Sequence, residues 1–337
     1  MLKVGILGFG GIARSHGKGY EVIAKEGAPV ELVALCDINP EQFEKTVNIN
    51  SGEDKVAVSP KDLYHTYSDL EEMLANEELD VIDICLPTYL HCEYACKLLK
   101  RGYNVQCEKP MGLNEAECLK MIEAEKESGK KLMIGMCLRF DAMYLELKKM
   151  IDEGIYGGVR SAYFERLSSL PRWGFDGWYH DYERCGGVAM DLHIHDVDMV
   201  RFLFGEPDAV MSRTVDGAVK DIGISSQFIY KDKIVSANAE WGMSKSWKFS
   251  TGYRVTFEKA SVVLKEGIIT VYPEEGEPFE HQFTKKDHMG AESEYFASTI
   301  LGERENTRNT TESAMKTVKL VKKLVESAHN GGKILEV

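Results

Sequence analysis

The stretch "ILGFGGIARSH", Ile6 to His16, decides the fold. Its glycines and alanine fall in the order Gly8-x-Gly10-x-x-Ala13, with an apolar run in front and helical spacing behind. Gly8 permits a tight turn out of a strand. Gly10 lets the backbone approach a pyrophosphate, and Ala13 lets the next helix pack close to the sheet. Phe9, Gly11 and Ile12 complete the turn, where the N–H groups opening the helix favour a phosphate charge. The following apolar run, "VELVALCD", ends on Asp37. A carboxylate there accepts hydrogen bonds from adenosine ribose hydroxyls and repels a 2′-phosphate. "CDIN" offers no arginine beside it. The pattern predicts a dinucleotide site that takes NAD and disfavours NADP.

Outward from this turn, residues 1–135 alternate short apolar runs with helical patterns. The runs are "KVGILGF", "VELVALCD", "DVIDICLP", "YNVQCEKP" and "KLMIGMCL". Helical spacing covers Ile12 to Glu26, Pro40 to Ile49, His91 to Arg101 and Asn114 to Ser128. Near-continuous apolar strands separated by helices predict a doubly wound parallel sheet of Rossmann type. Two loops fall at the carboxyl ends of strands, the edge where such sheets bind ligands. One holds Leu86, Pro87, Thr88 and His91; the other holds Glu108 and Lys109. A charged Lys109 directly after an apolar strand suits a cleft better than a core, although a surface pair with Glu108 would also account for it.

Residues 136–337 read differently. A helix near Asp141 to Glu153 precedes the alternating run "GGVRSAYFERL" and an aromatic loop, Arg172 to Tyr182. Runs such as "SSQFIY", "IVSANAEW", "YRVTFE" and "IITVY" follow, then helical patterns at Glu292 to Leu301 and Thr311 to Ala328. Short strands with turn residues between them predict a mostly antiparallel open sheet in an α+β domain.

Within this half, "GGVAMDLHIHDVDM" (Gly186 to Met199) concentrates Asp and His. As a strand it would align Asp191, His193 and His195 as a metal triad. As a helix it would align Asp191, His195 and Asp198, with His193 pointing away. The apolar spacing of Val197, Val200, Leu203 and Phe204, stopped by Gly205 and Pro207, favours a helix over Val188 to Phe204 and no metal. His195 flanked by carboxylates can then act as a positioned base, or be a histidine satisfied by its neighbours.

The bulk numbers narrow the classes. A chain of 337 residues predicts two domains. A net charge of −13 without a basic cluster argues against nucleic acid. No apolar run approaches the roughly 18 residues of a membrane span. The opening "MLKVGILGFG" lacks the layout of a signal peptide, so a cytoplasmic protein is expected. Eight cysteines without a C-x-x-C are expected to be free thiols.

Several motifs together carry a family likeness: the N-terminal turn with His16, "LPTYLH", Glu108-Lys109-Pro110, "GMCLRFD" with Arg139, and Gly186-Gly187 followed by Asp191, His195 and Asp198. The chain resembles the Gfo/Idh/MocA oxidoreductases. Two departures stand out: Thr88 where an Asn is common, and His193 where many members have Gly. The resemblance implies oxidation of a secondary alcohol with hydride passing to nicotinamide. His195 would be the proton acceptor, Asp191 its orienting group, and Lys109 the cation on the reacting oxygen. It also implies a homodimer or homotetramer. The aromatic loop suits a polyol such as a sugar or cyclitol, with Tyr163, Asp176, Tyr179, His180, Arg139 and His193 as candidate contacts and His288 as a further one. Two rival readings share the fold: a glycosidase that uses NAD transiently, and a dinucleotide-binding sensor without turnover.

Overall fold

The computed structural model describes residues 1–44, 48–49, 52–53 and 59–337. The chain forms two compact units. The first comprises residues 1–140, 173–178 and 286–315; the second comprises 141–172, 179–285 and 316–337.

Among the described residues, the first unit holds β1 (Leu2–Leu7), α1 (Gly11–Lys25), β2 (Val30–Cys36), β3 (His65–Tyr67) and α2 (Leu70–Asn76). Then come β4 (Val81–Ile84), α3 (His91–Lys100), β5 (Asn104–Glu108), α4 (Glu115–Ser128) and β6 (Leu132–Gly135). The strands pair in the order β3-β2-β1-β4-β5-β6, every pair parallel. That is the doubly wound order, which reverses beside β1 and puts the ligand crevice at the strands' carboxyl ends there. The apolar runs became strands because both faces are covered: all four residues of β4 and all five of β5 are buried.

Two elements carry weaker sequence signals. β3 is three residues without an aliphatic side chain, held at the sheet edge by β2. α2 is two turns long, and its clearest mark is the Asp69 carboxylate capping Glu72 N–H at 3.0 Å. The helix expected over Pro40 to Ile49 is a single 3₁₀ turn, Pro40–Phe43; the rest of that span falls partly outside the described residues.

Helix α7 (His288–Ile300) also belongs to the first unit and crosses α1 at glycine. A Cβ on Gly19 would lie 2.7 Å from the backbone nitrogen of Gly290. Backbone cannot yield as a side-chain tip can. Gly19→Ala should therefore cost about 1–3 kcal/mol, read as a lower midpoint in urea with an unchanged slope. A midpoint equal to wild type would show that the two helices separate easily.

The second unit holds α5 (Ala142–Asp152), β7 (Val159–Leu167), α6 (Ile194–Phe204), β8 (Ala209–Val215), β9 (Gly223–Ile229) and β10 (Ile234–Glu240). After these come β11 (Ser250–Phe257), β12 (Ala260–Lys265), β13 (Ile268–Pro273), β14 (Phe279–Glu280) and β15 (Leu335–Glu336). The last helix, α8 (Thr311–His329), starts in the first unit and ends in the second. Among the described residues nine strands pair in the order β14-β13-β12-β11-β7-β10-β9-β8-β15, antiparallel except for β7 with β10. α6 covers the face carrying Phe164 and Arg166: Phe164 meets Phe204 with ring centres 6.3 Å apart, and Arg166 pairs with Asp196. No helix of the described residues is long and apolar enough to cross a membrane.

Candidate active site

In the first unit the glycine turn is built as its residues require. Gly8 has φ +88°, and a Cβ there would strike the Cys85 carbonyl oxygen at 2.8 Å. Any larger residue would push β1 away from β4. Asp37 accepts from Phe9 N–H at 2.7 Å and from Asn39 N–H at 2.8 Å, which fixes its carboxylate beside the turn. α1 opens differently from most of its neighbours. Asp69, Asn114, Asp141 and Asp287 cap their helices with side-chain oxygens, but Gly10 provides no such cap and no acidic residue lies in the first turn. A Cβ on Gly10 would meet nothing within 4 Å. Open N–H donors, no competing carboxylate and room for a bulky anion fit a dinucleotide pyrophosphate.

The two loops beyond β4 and β5 are tied together by His91. Its Nδ1 lies 2.7 Å from the Pro110 carbonyl and its Nε2 2.8 Å from the Leu86 carbonyl. Burial pushes this imidazole's pKa down, and the two carbonyl partners act in the opposite direction. Leu86, Pro87 and Lys109 are partly exposed; Thr88, His91 and Glu108 are buried.

Beneath Lys109 runs a buried polar network that sequence reasoning did not find. His16 and Tyr20, one turn apart on α1, face Asp83 of β4 and Gln106 and Glu108 of β5. His16 Nδ1 sits 2.8 Å from Asp83 Oδ2, and its Nε2 sits 2.9 Å from Glu108 Oε1. Tyr20 donates to Asp83 at 3.1 Å, and Gln106 donates to Ser293 of α7 at 3.2 Å. Burial opposes charge on His16, but the Asp83 carboxylate reverses that and raises its pKa well above the usual histidine value. Burial likewise opposes charge on Glu108, and His16 more than offsets it, lowering the carboxyl. An imidazolium donating to two carboxylates satisfies all three groups. The other oxygen of Glu108 accepts from Lys109 N–H at 3.1 Å, so the network ends on the lysine's own backbone. Glu292 of α7 is buried and its carboxyl is driven well up, first by burial. The signal in the sequence was Asp83 and Gln106, polar residues inside strands buried on both faces. Among the described residues, His16, Asp83 and Cys85 have donor atoms close enough to share an ion, but the hydrogen bonds already satisfy the histidine and Asp83.

In the second unit the Asp/His segment is helical, with a difference. Ala189–His193 is a π-helical turn that runs directly into α6. Such turns concentrate at functional sites because the extra residue per turn re-aims side chains. Gly186 (φ +75°) and Gly187 (φ +70°) precede it in left-handed backbone, and a Cβ on Gly187 would press on the Tyr182 ring at 3.0 Å. Asp191 and His195 are half-buried while every residue between them is buried.

Several expected contacts are corrected. Asp198 does not share the Asp191 and His195 surface; it is buried and accepts from Thr317 of α8 at 2.7 Å, because α8 covers that end of α6. His193 is fully buried, 2.9 Å from Ser226 Oγ on β9, with its pKa pushed down to about 3 by burial and by Arg166. It fills core space as a neutral ring. Tyr163 stands on the sheet face opposite α6, since Phe164 and Arg166 point toward the helix and neighbours alternate. There it accepts from Asn238 at 3.0 Å and lies under Arg254. Arg139 is buried and donates to the Arg308 carbonyl at 2.6 Å and Ser313 Oγ at 2.8 Å, which locks the end of the first unit's sheet region.

The aromatic loop is divided between the units. Asp176 is exposed in left-handed backbone (φ +50°) and belongs to the first. Tyr179 and His180 belong to the second, where Tyr179 meets Trp241 edge-on at 6.0 Å and His180 Nε2 lies 2.9 Å from the Pro171 carbonyl. His288 begins α7 in the first unit. Another feature absent from the sequence reading is the Arg166–Asp196 pair, a two-pronged contact at 3.2 and 3.1 Å inside the second unit.

Two family profiles match the chain. The NAD-binding Rossmann domain of the Gfo/Idh/MocA oxidoreductase family matches residues 2–136. The Gfo/Idh/MocA C-terminal domain matches residues 144–264. The chain belongs to the Gfo/Idh/MocA family. An inositol 2-dehydrogenase from Salmonella paratyphi B is 30% identical over 209 residues, 61% of this chain and 55% of that protein. A 2,7-anhydro-N-acetylneuraminate hydratase from Mediterraneibacter gnavus is 28% identical over 187 residues, 53% of this chain and 50% of that protein. This Gfo/Idh/MocA chain therefore matches about half the length of those curated relatives. The crystal structure of an aldose-aldose oxidoreductase from Caulobacter crescentus superposes with TM-score 0.83 at 22% identity, covering 100% of this chain and 99% of the other, and shows a shared fold. As a Gfo/Idh/MocA member, the chain has a first domain of NAD(P)-binding Rossmann type.

Proposed function

We propose that this protein oxidises a secondary alcohol of a cyclitol, sugar or sugar derivative, or reduces the matching ketone, with NAD as the hydride partner. The observation that supports it most is the placement of Lys109. Lys109 is half-buried directly after the carboxyl end of β5, its backbone N–H is held by buried Glu108, and α1 of the same unit starts without a side-chain cap. A bound nicotinamide dinucleotide would supply the hydride acceptor. Gly8, Gly10, Gly11 and the start of α1 would seat its pyrophosphate, and Asp37 would take the ribose hydroxyls. Lys109 would hold the reacting oxygen and favour its alkoxide form. His195 would remove the hydroxyl proton, and Asp191 would orient it or the substrate. The subunits would assemble as a homodimer or homotetramer. The assignment of Lys109, Asp191 and His195 to one reaction rests on the family membership and on their partial exposure.

The test is nicotinamide reduction with a panel of inositols, aldoses and sugar acids, run with NAD and NADP in parallel and repeated in reverse on keto-sugars. Turnover on one class with NAD supports the reading. Silence in both directions, in protein that binds NAD, removes it. Asp37→Ala should lower the preference for NAD over NADP by roughly tenfold or more, the worth of hydrogen bonds to a charged group. An unchanged preference would take away the cofactor argument.

A second reading keeps the same groups but returns the hydride within each cycle, giving no net oxidation. The relative named as a hydratase favours it. Product formed from an anhydro-sugar or glycoside without accumulated NADH would distinguish it.

A further inference from the structure

Three separated segments of the second unit meet over one glycine. A Cβ on Gly187 would lie 3.0 Å from Tyr182 Cε2 and 3.7 Å from Asp221 Cβ, so both side chains pack against its bare α-carbon. The Tyr182 hydroxyl hydrogen-bonds the Asp221 carboxylate; burial first, then that carboxylate, pushes the phenol's pKa up. His329, the last residue of α8, places its Nε2 2.8 Å from Asp221 Oδ2. Asp221 N–H donates to Asp216 Oδ1 at 2.9 Å, and Lys220 Nζ stands 4.1 Å from the centre of the Tyr182 ring. Gly187 N–H itself donates to Cys185 Sγ at 3.2 Å.

Asp221 has φ +49° and is buried. The other two described non-glycine residues in left-handed backbone, Asp176 and Glu266, are exposed. An aspartate keeps such backbone only where its surroundings hold it, and positions of this kind cluster at functional sites. Here Tyr182, His329 and Asp216 do the holding. Gly187 leads through Val188 into the π-helical turn Ala189–His193, which carries Asp191 and runs on to His195.

We propose that Asp221, Tyr182 and His329 are positioning residues that clamp Gly187 and so fix the turn presenting Asp191 and His195. Its consequence for the reaction rests on the hydride-transfer reading of those two residues. His329 anchors the carboxylate, the carboxylate orients the Tyr182 ring, and the ring closes on Gly187. Loss of the clamp keeps every candidate catalytic group and alters only where the turn points.

Asp221→Gly is the first variant, because glycine adopts positive φ without strain and only the carboxylate is lost. Amide hydrogen exchange is followed by mass spectrometry in the full chain. Peptides covering 186–195 should exchange severalfold faster than in wild type, with β11 and β12 of the same unit unchanged. On the substrate found in the panel, kcat should fall roughly 10- to 100-fold, the scale of a misplacement of about 1 Å, at unchanged NAD affinity. Asp221→Asn should recover part of both losses, since asparagine tolerates this backbone and keeps an acceptor for Tyr182. Unchanged exchange at 186–195, or equal acceleration in β11 and β12, overturns the clamp. Wild-type kcat in a variant whose 186–195 region exchanges faster overturns its link to the site. A panel silent in both directions removes the hydride-transfer reading, and exchange then decides the clamp by itself.

Discussion

Lys109→Ala is expected to lose turnover by roughly 100- to 1,000-fold, the usual cost of removing one donor to a developing oxyanion, while binding NAD within about threefold of wild type. The separation follows from where each function sits. The pyrophosphate seat is backbone, built from Gly8, Gly10 and the opening of α1, and shortening the Lys109 side chain would leave it intact. The link from Glu108 to Lys109 is also through backbone, an N–H donated at 3.1 Å, so it survives truncation of the side chain. What disappears is the charge. Lys109→Arg keeps a charge in a different shape and should recover part of the rate if charge alone matters. His195→Ala makes a contrasting comparison, because it removes the proposed proton acceptor and leaves the Lys109 charge in place. The measurement is steady-state kcat and KM on the substrate found in the panel, with NAD affinity followed by the quenching of protein fluorescence. Wild-type kcat in Lys109→Ala would end the assignment. A collapse of NAD affinity alongside kcat would make Lys109 a cofactor ligand instead of a group acting on the alcohol.

The first unit was legible because its rules are local. A glycine turn, an acidic residue at the end of the next strand and three further apolar runs suffice for a parallel sheet; its strand order, β3-β2-β1-β4-β5-β6, comes from the structure. β3 escaped notice because three polar or aromatic residues carry no hydrophobic pattern; its place is set by hydrogen bonds to β2. The antiparallel sheet was legible as a class but not in its pairing, since β7 meets β10 and β11 across long stretches of chain. The candidate site was legible where a residue's place follows from the backbone beside it, as at Gly8 in its left-handed turn and Asp37 next to that turn. It failed where role depends on a distant neighbour. Asp198 and His195 look equivalent on a helical wheel, yet Thr317 of α8 claims one of them. His193 and Tyr163 are ordinary site-type residues in sequence, and only Ser226 and Asn238 show that their polar atoms are engaged elsewhere. The π-helical turn at Ala189–His193 could not be read at all, because its apolar spacing is compatible with an α-helix.

His16→Gln should destabilise the fold by about 3–5 kcal/mol, the range for removing one member of a buried charged set. Glutamine can reach one carboxylate but cannot bring positive charge between two. Asp83 and Glu108, both buried, would be left facing each other across a neutral amide. The pH dependence separates this cost from simple loss of packing. The folded pKa of His16 lies well above its ordinary value of 6.5. Its contribution is therefore fully present below about pH 6.5 and is lost as pH rises through the raised folded value. Glu108 acts at the other end. Its folded pKa is lowered from 4.5, so its contribution is present above that value and is lost as pH falls through the folded one. Glu292, raised by burial, weakens the fold as pH climbs above 4.5, but it does so in both proteins and largely cancels in their difference. The difference in unfolding free energy between wild type and His16→Gln should thus be greatest near pH 5–6.5 and shrink on the alkaline side. Urea melts from pH 5 to 9 measure it directly. A gap that stays constant across that range would mean that His16 is neutral in the fold and supports Lys109 through shape, with no charge between the two carboxylates.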